Sequence, residues 1–225
     1  MTYTFLLLDL FLLLLPFCFF LDRKIFGTEM LRSAILPSLI ATIIFSEVAV
    51  FFSTAKIWNY NPAYVIGSYY RQLPIEGYLF VFAYSFSGLA IYNYLNGKFP
   101  NDDLQKHSLA LSNLLLGIFV AALFFAYAKL FSLVTVAILL ILLLGIEYFN
   151  KLRFMYRFYR AYAVCLILFY GCYALICNLP IIEYNQAETV GINLANIPFE
   201  NHFYTMGILL LGVYITTYLK HRAAK

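Results

Sequence analysis

The sequence predicts an all-α protein, a polytopic membrane bundle of about seven transmembrane helices built as two parallel three-helix repeats joined by an extra helix. Three observations carry this. The 225 residues are 64% hydrophobic and 12% charged, with a mean hydropathy of +0.83, more apolar side chain than one soluble core can cover. The apolar runs are about 20 residues long, the length that crosses a bilayer as a helix. Residues 60 to 80 also lie over residues 184 to 204 without a gap, so that Tyr60, Asn61, Ala63, Gly67, Pro74 and Glu76 meet Tyr184, Asn185, Ala187, Gly191, Pro198 and Glu200. The same offset of 124 residues pairs Gly88 with Gly212 and Tyr94-Leu95 with Tyr218-Leu219.

The first span covers residues 3 to 21, almost purely Leu and Phe. No basic segment precedes it, Asp9 interrupts it and no small-residue cleavage site follows, so a retained helix is expected rather than a signal peptide. Asp22-Arg23-Lys24 ends it. A second span runs from about 33 to 52 and carries Glu47 near its far end. Residues 53 to 73 hold too much Asn, Pro and Gly to cross a membrane and form an aromatic-rich loop. Pro74 suits the first turn of a helix, where its missing N–H costs nothing, and a third span follows from about 75 to 95. Residues 96 to 103 (Asn-Gly-Lys-Phe-Pro-Asn-Asp-Asp) are a turn-rich break. Spans four and five cover about 107 to 126 and 129 to 149. The basic run Lys151, Arg153, Arg157 and Arg160 leads into a sixth span ending near Cys177. Residues 178 to 197 repeat the polar loop, and the seventh span runs from about 199 to 219.

Spans one to three correspond to spans five to seven. This divides the chain into a first repeat (1–98), a linking loop and helix (99–127) and a second repeat (128–225). One intervening helix restores the starting side, so the repeats are parallel, related by an axis along the membrane normal, and both Pro-x-Glu loops share one face. Lys and Arg crowd the other face (Arg23, Lys24, Arg32, Lys98, Lys106, Lys151, Arg153, Arg157, Arg160, Lys220, Arg222, Lys225), against only Lys56, Arg71 and Lys129 on the loop side. The positive-inside rule then puts the C-terminus in the cytoplasm and the N-terminus and both loops outside a cytoplasmic membrane.

An ionisable group within a span costs about 2.5 to 3.5 kcal/mol and is a functional candidate by default. Asp9, Glu47, Glu76 and Glu200 qualify. The repeat partner of Asp9 is Leu133 and that of Glu47 is Gly171, whereas Glu76 and Glu200 match each other. Asp9 reads equally well as a purely structural partner for a neighbouring helix. Glu147 stands four residues before Lys151, the spacing of an ordinary surface ion pair. A glutamate at a helix start is favoured by the dipole and free N–H groups alone. The surroundings point further: Trp58, Asn59, Tyr60, Asn61, Tyr64, Tyr69 and Tyr70 fill the first loop, and Tyr184, Asn185, Asn193, Asn196 and Asn201 the second. Such residues cost desolvation unless they face a cavity.

A carboxyl in an apolar, aromatic-walled pocket suits the protonation of an alkene and the holding of the resulting carbocation. Burial keeps a carboxyl protonated, aromatic faces stabilise a cation without capturing it, and a second carboxylate or polar group removes a proton afterwards. Glu76 and Glu200 are the candidate catalytic pair. Glu47, Trp58, Tyr60, Asn61, Tyr64, Pro74, Tyr184, Asn185, Pro198 and Asn201 are candidate substrate-binding residues.

The runs Trp58-Asn59-Tyr60-Asn61-Pro62 with Leu73-Pro74-Ile75-Glu76, and Tyr184-Asn185-Gln186-Ala187-Glu188 through Gly191 to Ile197-Pro198-Phe199-Glu200 and Phe203-Tyr204, resemble the lycopene cyclase domain family of the heterodimer-derived type, with both halves in one chain. The resemblance spans nearly the whole length. It implies an integral membrane enzyme, an intramolecular lyase or isomerase, that closes the ends of lycopene into ionone rings without net redox change. It implies a lipophilic carotenoid substrate in the bilayer, contact with membrane lipid, and other carotenoid-pathway enzymes or a second copy of the chain as partners. The chain departs from the family pattern at Gly77, where a second glutamate is usual, at Asn201, where an aspartate is usual, and at Glu47, where an aspartate is common.

No cofactor is expected: neither GxGxxG nor GxxxxGK[ST] occurs. The four cysteines lie in apolar segments without a CxxC pair and read as small buried hydrophobes. His107, His202 and His221 form no metal-ligand cluster, and a net charge of +4 does not indicate nucleic-acid binding. Asp102-Asp103 reads as a solvated turn rather than a diphosphate-magnesium site. A small transporter or a non-catalytic membrane scaffold of the same fold are the alternatives. A transporter needs polar residues along a path to both faces, and here they gather on one.

Overall fold

Among the described residues, seven helices are long and apolar enough to cross a membrane, and these make up the bundle. The computed structural model describes residues 2–22, 25, 27–101, 105–149 and 152–223. Arg23, Lys24, Lys151 and Lys225, on which the charge bias partly rests, and the Asp102-Asp103 turn lie outside these.

Helix α1 (Thr4–Leu14) tightens into a 3-10 segment at Leu15–Leu21, and α2 (Thr28–Thr54), α3 (Ile75–Lys98) and α4 (Gln105–Phe125) follow. Helix α5 (Leu130–Leu144) widens into a π-turn at Gly145–Phe149, and α6 (Met155–Asn178) and α7 (Glu200–Ala223) complete the set. Helix α2 starts at Thr28 rather than near 33. Its first turn is polar, with an exposed Arg32–Glu29 ion pair, so the helix extends beyond the apolar stretch that marked it.

Helices α3 and α7 are the most buried, and α4 is the outermost. The two central helices are repeat partners and cross reciprocally: Gly88 of α3 lies against Leu209, and Gly212 of α7 against Ser85 and Leu89. Leu209 occupies the place in the second half that Ser85 has in the first. Both glycines are needed because a side chain at either would meet the facing helix. Helix α2 packs on both α3 and α7, α6 on α3, α1 on α3, and α5 on α7.

The two polar loops contain short strands that periodicity did not indicate. Strand β1 (Trp58–Tyr60) pairs antiparallel with β4 (Ile182–Tyr184), with Asn59 opposite Glu183. These two are repeat partners, so the two-fold relating the halves passes between them, and both loops meet at one end of the bundle. Beside this ladder, β2 (Tyr69–Tyr70) pairs with β3 (Leu73–Pro74), and β5 (Asn193–Leu194) with β6 (Ile197–Pro198). Both hairpins turn on two residues of positive φ, Arg71 (48°) and Gln72 (66°) in one, Ala195 (52°) and Asn196 (64°) in the other, the signature of a type I′ turn.

Candidate functional site

Each hairpin delivers its chain into a helix by the same set of bonds. Pro74 is buried in extended backbone (φ −66°, ψ 153°) as the N-cap of α3 rather than in its first turn. Pro198 is buried at the end of β6. The next amide is taken by the opposite arm of the loop: Ile75 N–H donates to Ser68 O at 3.0 Å, and Phe199 N–H to Ile192 O at 3.0 Å. The glutamate side chains then fold back over the hairpin. Glu76 Oε1 accepts Ile66 N–H at 2.6 Å, and Glu200 Oε1 accepts Val190 N–H at 2.7 Å. Both glutamates are 1% exposed. Neither role is helix capping, since the amides they bind lie ten residues upstream.

The second oxygen of each glutamate, Oε2, has no hydrogen-bond partner among the described residues. The halves differ at Oε1, where Ser132 of α5 adds a second donor to Glu200 at 2.5 Å. The place corresponding to Ser132 in the first half is Leu8, which has no hydroxyl. Ser132 was not legible as a site residue, because one serine in a Leu-rich helix carries no pattern. Its only sequence signal is that it breaks the apolar run one position before the repeat partner of Asp9.

At the β1–β4 ladder, from which Trp58 and Tyr184 come, lies an aromatic core. Trp58 is 3% exposed, donates from Nε1 to Ser53 Oγ at 3.1 Å, and is met edge-on by Phe52, Phe131, Tyr184 and Tyr204 at centroid distances of 5.0 to 6.0 Å. Tyr204 Oη donates to Phe45 O at 2.9 Å, which ties α7 to α2. Tyr60 stacks on Phe5 of α1, and its hydroxyl lies where a side chain at 77 would begin, 3.3 Å from that position. The glycine at 77 is therefore filled by Tyr60 and Leu73 rather than left as space. Burial, reinforced by the neighbouring tyrosines, pushes the Tyr60 and Tyr184 phenols well above their ordinary value. Both stay neutral. Asn201 is fully buried, with neither amide atom hydrogen-bonded among the described residues.

The remaining candidates stand further out. Asn61 Oδ1 accepts Ala63 N–H at 3.0 Å and Asn185 Oδ1 accepts Ala187 N–H at 3.0 Å, so both asparagines build loop turns. Tyr64 is half-buried, and its carbonyl receives Phe5 N–H, anchoring the start of α1. Glu47 is exposed in an ion pair of 2.7 Å with Arg71 from the hairpin tip, which the sequence did not place beside it. Asp9 is fully buried on the face of α1 that meets α3.

Two buried carboxyls, each with one oxygen unpartnered among the described residues, and a buried aromatic core are the groups that can exchange protons with a hydrocarbon and shelter a cation. The family model described as lycopene cyclase matches residues 1–95 and 128–219, one match in each half. No curated protein and no solved structure matches the chain. The match covers most of both repeats, and the chain belongs to the lycopene cyclase family.

Proposed function

We propose that the chain closes the acyclic ends of lycopene into ionone rings by proton-initiated, redox-neutral cyclisation, with Glu76 and Glu200 as the acid–base pair. What supports this most is the matched placement of the two carboxyls, each buried, held through Oε1 and free at Oε2. A proton passes to a terminal double bond and a new C–H bond forms. The resulting cation is attacked by the next double bond, which closes the ring and moves the positive charge into it. Loss of a ring C–H proton to the second carboxylate restores neutrality, so no oxidant or reductant is needed. The faces of Trp58, Phe52, Phe131 and Tyr204 supply quadrupole stabilisation to the cation, and the dry packing keeps out the water that would capture it.

The substrate on this reading is a lipophilic carotenoid drawn from the bilayer. The two repeats, 1–98 and 128–225, each contribute one carboxyl to one reaction. The chain sits in the cytoplasmic membrane with its C-terminus inside and the hairpin loops outside, alongside other carotenoid-pathway enzymes or a second copy.

The test is expression in a bacterium that accumulates lycopene, with Glu76→Gln and Glu200→Gln alongside and pigments separated by chromatography. Monocyclic or bicyclic carotene that disappears in either variant is the expected result. Unchanged lycopene from well-expressed, membrane-inserted protein would move the reading to a different carotenoid, a transporter or a scaffold.

A further inference from the structure

The end of the bundle away from the hairpins holds a polar pocket that the scheme above does not use. Helices α3 and α7 run from the loops to this end, and α6 starts there. The pocket has a volume of about 430 Å³ and is lined by Arg153, Arg157, Lys220, His221, Asn96 and Thr217. Three of these are Arg or Lys, and no Asp or Glu lines it among the described residues. Tyr92, with its hydroxyl 3.4 Å from Thr217 Oγ1, and Leu152 complete the wall.

Two of the cations are steadied by neutral groups. Lys220 Nζ donates to Asn93 Oδ1 at 2.8 Å, and the Asn93 amide is itself fixed by donating to Met30 O at 3.2 Å. That bond sets the ammonium in place without cancelling its charge. The Arg157 guanidinium lies over the Tyr156 ring, 5.4 Å from its centroid, and Nε donates to the hydroxyl of the same ring. Arg160 shows the ordinary structural use of a cation at this level. It donates to Phe99 O, Leu95 O and Asn96 Oδ1 where α3 ends, and it does not line the pocket.

Helix dipoles do not account for the gathered charge. Lys220 and His221 suit the last turn of α7, but Arg153 and Arg157 flank the start of α6, where the dipole favours an acid and disfavours a cation. The repeat partner of α6 follows the usual rule: α2 has Glu29 in its first turn and Ser33 after it, at the places of Arg153 and Arg157. Asn96 and Gly97 stand where the second half has Lys220 and His221. Basic residues around one cavity thus take the places of one acid and three neutral residues. Like charges gathered in this way repel unless an anion sits between them.

The level in the membrane points to the kind of anion. All three helices are long and apolar enough to cross a bilayer, so their ends lie at headgroup depth. Exposed Tyr148 and Tyr218 at the same end suit the interfacial aromatic belt. Basic pockets between helix ends at this depth hold lipid phosphate. We infer that the pocket seats the phosphate of an anionic phospholipid, with Arg153 and Arg157 as its charged clamp and Lys220, Thr217 and Asn96 as further donors. The bound lipid ties the start of α6 to the far ends of α3 and α7, the helices that carry Glu76 and Glu200 at their other ends. This site does not depend on the cyclisation reading.

The experiment uses the full chain purified in neutral detergent and stripped of lipid. Phosphatidylglycerol, phosphatidylcholine with the same acyl chains, and inorganic phosphate are added in turn, with binding read by native mass spectrometry and by melting temperature. Phosphatidylglycerol is expected to bind about tenfold or more tightly than phosphatidylcholine and to raise the melting temperature, with the preference shrinking in about 1 M salt. Arg153→Gln combined with Arg157→Gln is expected to remove the preference. Lys106→Gln, at the start of α4 on the same end but outside the pocket, is expected to change it by less than about twofold. Equal binding of the two lipids, or a preference that survives the double variant, overturns the inference. Inorganic phosphate that stabilises the chain at millimolar concentration as much as phosphatidylglycerol does makes the ligand a free anion and overturns the lipid assignment. Should the double variant fail to fold, Arg153→Gln alone, at an exposed position, is read instead. A loss of about threefold or more in the preference is then expected, and an unchanged preference overturns the inference.

Discussion

Ser132 Oγ donates to Glu200 Oε1 at 2.5 Å, and the residue 124 positions earlier, Leu8, offers Glu76 nothing comparable. Two helix starts that share the backbone bonds from Ile75 to Ser68 and from Phe199 to Ile192 thus hold their carboxyls in unlike surroundings. Such a difference lets a pair of duplicated acids divide one reaction between them. Without it, two equivalent carboxyls would have no reason to act in a fixed order.

A hydrogen bond to a charged group contributes about 1.5–3 kcal/mol, so Ser132→Ala is expected to slow cyclisation about tenfold or more. Ser132→Thr, which keeps the hydroxyl, is expected to stay near wild type. Initial rates of product formation in membranes with matched protein amounts decide this. A rate unchanged in Ser132→Ala would mean that the hydroxyl only fills space.

The hairpin turns place side chains where backbone geometry favours glycine. Ala195 (φ 52°) has no interaction that offsets its left-handed conformation beyond the turn itself, and that conformation costs about 1–2 kcal/mol for a residue with a Cβ. Ala195→Gly is expected to stabilise the protein by up to about 1 kcal/mol, after the added freedom of the unfolded glycine is counted. A rise in melting temperature in detergent, with activity unchanged, is the expected outcome. Arg71 (φ 48°) is a poorer choice for the same change, because its side chain pairs with Glu47.

The repeat was legible because Tyr60, Asn61, Gly67, Pro74 and Glu76 recur without a gap, and the structure shows why these were kept. Gly67 (φ 89°) and Gly191 (φ 81°) are turns only glycine enters cheaply. Asn61 and Asn185 close matching side-chain turns, and the glutamates anchor matching amides. The pairing of β1 with β4 was not legible. A three-residue strand has no measurable period, and its partner lies more than 120 residues away. The partner of Glu47 was hidden for a related reason: the glutamate lies in an apolar run, and only the hairpin carries Arg71 back beside it. Asp9 stood out as an acid in a Leu-rich helix, but its complete burial, with no hydrogen-bond partner among the described residues, is a property of packing that sequence does not record.

Close helix crossings give a graded test of the packing. A Cβ at Gly207 would lie 2.9 Å from the Phe45 ring, which is itself buried and held edge-on by Tyr204, while a Cβ at Gly117 meets nothing within 4 Å. Gly207→Ala is expected to destabilise by about 1–3 kcal/mol through overpacking. Gly117→Ala, in the middle of α4, is expected to stabilise by about 0.5–1 kcal/mol through the lower backbone freedom of the unfolded chain. Melting temperatures of the two variants in one detergent should move in opposite directions. A fall in both would mean that the outer face of α4 is covered by something that glycine accommodates.

Tyr184 combines a buried hydroxyl that has no hydrogen-bond partner among the described residues with a phenol that burial holds well above its ordinary value of 10.0. Tyr184→Phe removes a polar group whose burial without a partner costs about 1–3 kcal/mol, so the variant is expected to melt at the same temperature or higher at neutral pH. The alkaline side has a definite sign. Below pH 10 the phenol is protonated in both folded and unfolded chains, and its contribution does not vary with pH. Above it, the unfolded chain loses the proton while the folded chain keeps it, so stability falls as pH rises. The wild type should therefore lose more melting temperature between about pH 9 and about pH 11 than Tyr184→Phe does. The slope is reduced rather than abolished, because Tyr60 is held neutral by the same burial. Equal slopes in the two proteins would mean that Tyr184 is open to solvent, and the dry core proposed to shelter the cation would go with it.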